Sequence, residues 1–197
     1  MRIVRGDASD RPTTQACFEA VRVAGEADDP FGPPWSLQRL RGWLEHPTEP
    51  SETWICRDEA TGAVAGFYYL ILPERENRDR AYMYLTVDPS SRRRGIGTAL
   101  LRHAAGRSAG AGRSVLGSGV FQGSAGAAFA DRVGATAGLV EARRVLVLGK
   151  IPDGHVAALR EQATRAAAGY SLVSWEGRTP DQYLSGFAEV LLSLIHI

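Results

Sequence analysis

Arg92-Arg93-Arg94-Gly95-Ile96-Gly97 stands between a strand-like run, residues 81–87, and a helix-like run, residues 98–105. Two glycines without side chains let neighbouring backbone N–H groups point at one anion. The helix that follows adds the positive end of its dipole, and the arginines neutralise charge. The stretch therefore reads as a pyrophosphate clamp. Its flanks agree: Leu85-Thr86-Val87-Asp88-Pro89 leads in, and a helix with Ile96, Ala99, Leu100 and His103 on one side leads out. The dinucleotide fingerprint fails, because Leu100 falls where that motif needs a third Gly or Ala. The phosphate-binding P-loop fails too, since no Gly-Lys-Ser/Thr follows and Lys150 is the only lysine. The plain alternative is a surface β-α turn carrying a solvated basic run.

The combination of strand, Val87-Asp88-Pro89 exit, Arg92-x-x-Gly95-x-Gly97 and amphipathic helix resembles the acetyl-CoA loop of the GNAT N-acetyltransferases. The resemblance implies an α/β fold with a mixed, mostly antiparallel sheet flanked by helices, and acetyl-CoA as co-substrate. It further implies that the backbone of Leu85 to Val87 runs beside the pantetheine arm, with the Val87 N–H near the thioester oxygen. Arg92, Arg93, Arg94, Gly95, Ile96, Gly97 and Thr98 would hold the pyrophosphate.

Composition narrows the setting. The 197 residues suffice for one full α/β domain and part of another, and the net charge of +1 gives no reason to invoke a nucleic-acid or membrane partner. Of the 23 basic residues all but Lys150 are arginine, in a chain rich in alanine and glycine. That bias follows GC-rich coding, so a lone arginine is weak evidence of function. Cys17 and Cys56 lack metal-ligand spacing and read as buried thiols. No apolar signal core or membrane span is evident, so the expected location is the cytoplasm.

Taken in order, residues 2–4 read as a strand and 13–25 as a helix. Asp28-Asp29-Pro30-Phe31-Gly32-Pro33-Pro34 breaks it, and Ser36 caps a second helix bearing Leu37, Leu40, Trp43 and Leu44. In the resembled fold this pair borders the acceptor site, where Phe31 and Trp35 are candidates to line a pocket. Residues 53–57 and 63–72 read as a hairpin, the second strand apolar enough to be covered on both faces. Residues 114–121 are expected as a fifth strand, 124–133 as a helix and 139–148 as a last strand. A complete acetyltransferase-like domain over 1–150 follows from the resemblance.

From Pro152 a new segment begins: a helix over 155–168, a strand over 170–175 and a helix starting at Thr179-Pro180-Asp181. Ile3-Val4 precede Phe18 and Val21 by the spacing at which Leu172-Val173 precede Phe187 and Val190. The segment resembles the interdomain region of two-copy GNAT proteins, implying a linker helix at 151–168 and, over 169–191, the start of a second acetyltransferase-like half whose remainder is missing. Leu192-Ser193-Leu194-Ile195-His196-Ile197 resembles a translated library adapter, so 192–197 is expected to be a non-native tail.

Acyl transfer to an amine requires a neutral nucleophile, a polarised carbonyl and a proton for the leaving thiolate. Many family members carry an asparagine and a tyrosine on the helix after the fifth strand. Here Gly123 and Phe129-Ala130 stand at those places. The remaining proton donors are water, Ser124 or a tyrosine from elsewhere, with Tyr84 the nominee. Glu74, Glu76 and Asp79 are candidates to draw in a cationic acceptor, and His103 reads as packing or surface. Two functions stay open at this point: an N-acetyltransferase acting on a small-molecule or peptide amine, and a non-catalytic acyl-CoA-binding regulatory or scaffold half.

Overall fold

A computed structural model describes residues 1–30 and 32–195. Phe31, His196 and Ile197 lie outside the described residues, so the pocket expectation for Phe31 and the last two positions of the expected tail fall there. The chain divides into two compact units, Met1–Gly138 and Leu139–Ile197.

In the first unit the order is β1 (Arg2–Arg5), α1 (Arg11–Asp28), α2 (Leu37–Glu45), β2 (Ser51–Arg57), β3 (Val64–Ile71), β4 (Arg80–Val87), α3 (Ile96–Gly110), β5 (Val115–Gly117) and α4 (Ala125–Arg132). The five strands form one sheet in sequence order. β1 to β4 pair antiparallel, and β5 joins β4 in parallel. This is the mixed, mostly antiparallel sheet flanked by helices that the sequence led us to expect.

β3 is the centre of that sheet, and its apolar run has a simple cause. Side chains alternate across a strand, so Tyr68 and Leu70 pack with Ile96, Leu100 and Ala104 of α3, while Phe67 and Tyr69 pack with Cys17, Ala20, Leu40 and Leu44 of α1 and α2. Gly66 permits a close approach between layers. A Cβ there would lie 2.8 Å from the Thr86 carbonyl oxygen and 3.3 Å from both Ile96 and Leu100 side chains. The α3 N-terminus is thereby seated against the end of β4. Ser36 caps α2 as expected, its hydroxyl accepting from the Arg39 N–H at 3.1 Å.

In the second unit α5 (His155–Ala166) and α6 (Asp181–Ile195) form where expected, and α6 runs on through part of the expected tail. Trp175 stacks on Tyr183 at 5.9 Å and meets Phe187 edge-on at 6.0 Å. Three strand expectations are corrected. Residues 139–148 form no last strand and lie exposed, with Leu139 at 78% and Val140 at 81%. Residues 170–175 are likewise irregular, and the fifth strand contracts from 114–121 to Val115–Gly117. Alternation shows which residues would share a face, but a strand also needs a neighbouring edge to satisfy its backbone groups. Residues 139–148 are not paired with any strand among the described residues.

Candidate active site

The site is built on the outer edge of β4. Ladder alternation assigns its backbone groups. The Asp88 N–H donates to the Ala65 carbonyl at 3.1 Å, next to the Gly66–Val87 pair, so even-numbered residues of β4 face β3. Odd-numbered ones face the other way, as the Asp79 carbonyl does in accepting from the Ser114 and Val115 N–H groups. The β4–β5 register ends at Tyr82–Gly117. Beyond it β5 ends, leaving a gap beside β4, and Leu85 and Val87 present backbone groups to that gap with no described strand paired to them.

At the end of that gap lies the N-terminus of α3. Gly95 caps it in the left-handed region at φ 83°, which costs a glycine nothing, and no side chain caps the first turn. The N–H groups of Ile96, Gly97 and Thr98 precede the first intrahelical bond, Ala99 N–H to Gly95 carbonyl at 3.0 Å. No acidic residue occupies that turn. These groups fit an anion such as pyrophosphate. A Cβ on Gly97 would find ordinary contact, 3.6 Å from the Phe129 ring and 3.8 Å from Val87. Phe129 thus brings α4 beside the clamp.

The three arginines part company. Arg92 makes a two-pronged pair with Asp28 at 3.0 and 2.6 Å and also donates from Nε to the Val87 carbonyl at 3.3 Å. Arg94 pairs with Asp58 at 3.3 Å in an exposed position. Arg93 is exposed in the left-handed region at φ 65° and has no ion pair among the described residues, which leaves its charge available to a ligand. Ile96 is buried under the sheet, so its contribution to the clamp is its N–H alone.

Tyr84 projects from β4 on the α1–α2 side, 48% exposed, with Trp43 edge-on to its ring at 4.6 Å. Trp35 continues the aromatic run, 5.8 Å from Trp43. Ser124 is the N-cap of α4, its hydroxyl accepting from the Ala127 N–H at 3.2 Å. Glu74, Glu76 and Asp79 lie exposed. His103 sits between α3 and the sheet, its Nδ1 2.7 Å from the Tyr68 hydroxyl, a packing role as expected. Asp28 and Trp43 escaped notice as site residues. Asp28 looked like part of a helix break and Trp43 like core, though an acid at a helix C-terminus, where the dipole disfavours it, signals a need for a cation.

A mixed sheet whose β4 edge goes unpaired beyond Tyr82, with a glycine-opened helix start that no side chain caps after it, fits an acetyltransferase-type fold. The acetyltransferase (GNAT) family matches residues 16–134, over half of the chain, and the chain belongs to that family. Among solved structures it is similar to the tandem GNAT protein from the clavulanic acid biosynthesis pathway, at 28% identity and a TM-score of 0.70, over 92% of this chain and 57% of that one. This chain therefore spans little more than half the length of that relative. It is also similar to a Trypanosoma brucei acetyltransferase, at 20% identity and a TM-score of 0.54, over 74% of this chain and 99% of that one. An aminoglycoside acetyltransferase from an uncultured soil metagenomic sample, in complex with sisomicin, matches at 19% identity and a TM-score of 0.56, over 75% and 95% of the respective chains. These last two establish the fold alone. A search of curated proteins found no match.

Proposed function

We propose that this protein is an N-acetyltransferase that moves the acetyl group of acetyl-CoA directly onto an amine. The observation that carries the reading is the unpaired edge itself: beyond Tyr82 the β4 edge at Leu85 and Val87 has no strand partner, and the chain runs from it into the α3 N-terminus, which no side chain caps. Acetyl-CoA supplies the activated acyl group. The N–H groups of Ile96, Gly97 and Thr98, with the Arg93 side chain, would hold its pyrophosphate, and the β4 edge would pair with the amide-bearing arm. The Val87 N–H is the donor for a thioester oxygen, and Tyr84 is the nominee to return a proton to the thiolate. The acceptor is a small-molecule or peptide amine approaching the aromatic side of β4, where Tyr84, Trp43 and Trp35 lie in a row.

A second reading, a non-catalytic acyl-CoA-binding half, is favoured by one observation. Ala130 and Gly123 occupy the family's usual tyrosine and asparagine places, and the Ser124 hydroxyl is engaged as a helix cap. In both readings we assign 1–150 to the acetyltransferase domain, 151–168 to a linker helix and 169–191 to the start of a second acetyltransferase-like unit. The similarity to the tandem protein over 92% of this chain supports that division. No helix among the described residues is long and apolar enough to cross a membrane, and we assign the protein to the cytoplasm. Calorimetry with acetyl-CoA, followed by thiol-release assays over an amine panel, tests the proposal. Binding with transfer supports the enzyme, binding without transfer to any amine supports the second reading, and no binding overturns both.

A further inference from the structure

Asp28 ends α1 at the helix terminus where a negative charge is least favoured, since the dipole there is negative as well. It lies 64 positions from Arg92 in sequence, yet the two make a fork-to-carboxylate pair in which both side chains are largely covered, 23% and 24% exposed. The same guanidinium uses its remaining nitrogen on the Val87 carbonyl. One arginine thus joins the end of α1 to the last residue of the β4 edge.

That contact changes what the edge offers. An edge residue normally exposes a donor and an acceptor side by side. At Val87 the acceptor faces a cation already in the chain, so the group left to an incoming molecule is the N–H. A carbonyl oxygen placed there meets a donor and a nearby positive charge in place of a competing lone pair.

We propose that Asp28 is a positioning residue for acyl-donor binding: without touching the donor, it holds Arg92 on the Val87 carbonyl and so sets the β4 edge to receive an oxygen. Arg92 then acts through the strand and not as a phosphate ligand. The inference rests on the acetyl-CoA reading of the site.

The sign of the effect separates this role from simple electrostatics. Asp28 carries negative charge near an anion site, so if charge alone mattered, Asp28→Asn would tighten acetyl-CoA binding. The positioning role requires the reverse. Calorimetry with acetyl-CoA on the full chain should give about tenfold weaker binding for Asp28→Asn, the scale of one lost charge-assisted contact. Asp28→Glu should recover most of the affinity. Arg92→Gln should lose as much as Asp28→Asn, and the double variant no more than either alone, because both remove one unit. The dependence of affinity on salt should match the wild type in Asp28→Asn. Equal or tighter binding by Asp28→Asn, or additive losses, overturns the proposal. Should Asp28→Asn fail to fold, Arg92→Lys keeps the charge but lacks a fork for both partners. Unchanged affinity in that variant would be as decisive against it. Failure of the wild type to bind acetyl-CoA would instead bring down the functional reading and this role together.

Discussion

The Tyr68 hydroxyl and His103 Nδ1 share a hydrogen bond of 2.7 Å, with Trp54 edge-on to the same imidazole at 4.5 Å. Around them the Trp54 indole N–H donates to Glu52 at 2.7 Å, and Arg107 pairs with the same carboxylate. A histidine on a helix and a tyrosine on the central strand therefore join α3 to the sheet by a polar contact inside an apolar layer.

That placement makes stability depend on pH. Burial, and secondarily the Arg107 charge, hold the His103 pKa below its ordinary 6.5. The unfolded chain takes up a proton near 6.5 that the folded chain resists, so this contribution is complete above 6.5 and is lost as pH falls from there toward the folded value. Glu52, held below its ordinary 4.5 chiefly by Arg107, loses its own contribution at lower pH still. Thermal melts should show Tm falling from pH 7 toward pH 5, and His103→Gln should flatten that slope. A slope identical to the wild type would remove His103 from the account.

Gly97→Glu should abolish acetyl-CoA binding and leave the fold. Its Cβ meets only ordinary contacts at Phe129 and Val87, but a carboxylate would sit in the anion's place at the helix start. Calorimetry beside a melting curve reads both parts of this expectation.

Gly66→Ala should destabilise the first unit by about 1 to 3 kcal/mol, the usual cost of forcing atoms into a packed layer. The new methyl group would press on the Thr86 carbonyl oxygen at 2.8 Å, a backbone atom that cannot swing aside. Denaturant unfolding monitored by tryptophan fluorescence measures it, and an unchanged midpoint would contradict the close seating of α3.

Tyr84→Phe keeps the ring that Trp43 contacts and removes only the hydroxyl. If Tyr84 returns the proton to the thiolate, kcat should fall about 100-fold with acetyl-CoA affinity unchanged. Steady-state thiol release across pH provides the measurement, and full activity would shift the role to water or Ser124.

Ser124→Ala removes the α4 cap and should cost about 1 kcal/mol of stability. Because α4 carries Phe129 against the clamp, binding should weaken slightly as α4 loosens. Comparison with Ser124→Asp, another good cap, separates capping from proton donation, since only the cap is restored.

Much of the site was legible in the sequence because it is local. Gly95, Gly97 and the helix after them lie within a few residues, so spacing alone implied a row of backbone N–H groups turned toward one anion. The double-faced apolar run of β3 likewise carried its central position in its composition. Burial of the Cys17 and Cys56 thiols was legible in the same way, and it pushes the Cys17 pKa up to about 12. What tertiary structure decided is whatever depends on a distant partner. Alternation over 139–148 resembles a strand, but strand formation requires an edge to pair with, and spacing along the chain cannot supply one. Adjacency to the glycines reads Arg92 as a phosphate ligand, and the sequence carries no sign of its other partner. Folding brings Asp28, 64 positions earlier, to its guanidinium, and the energy of a charged group is set by what surrounds it in space.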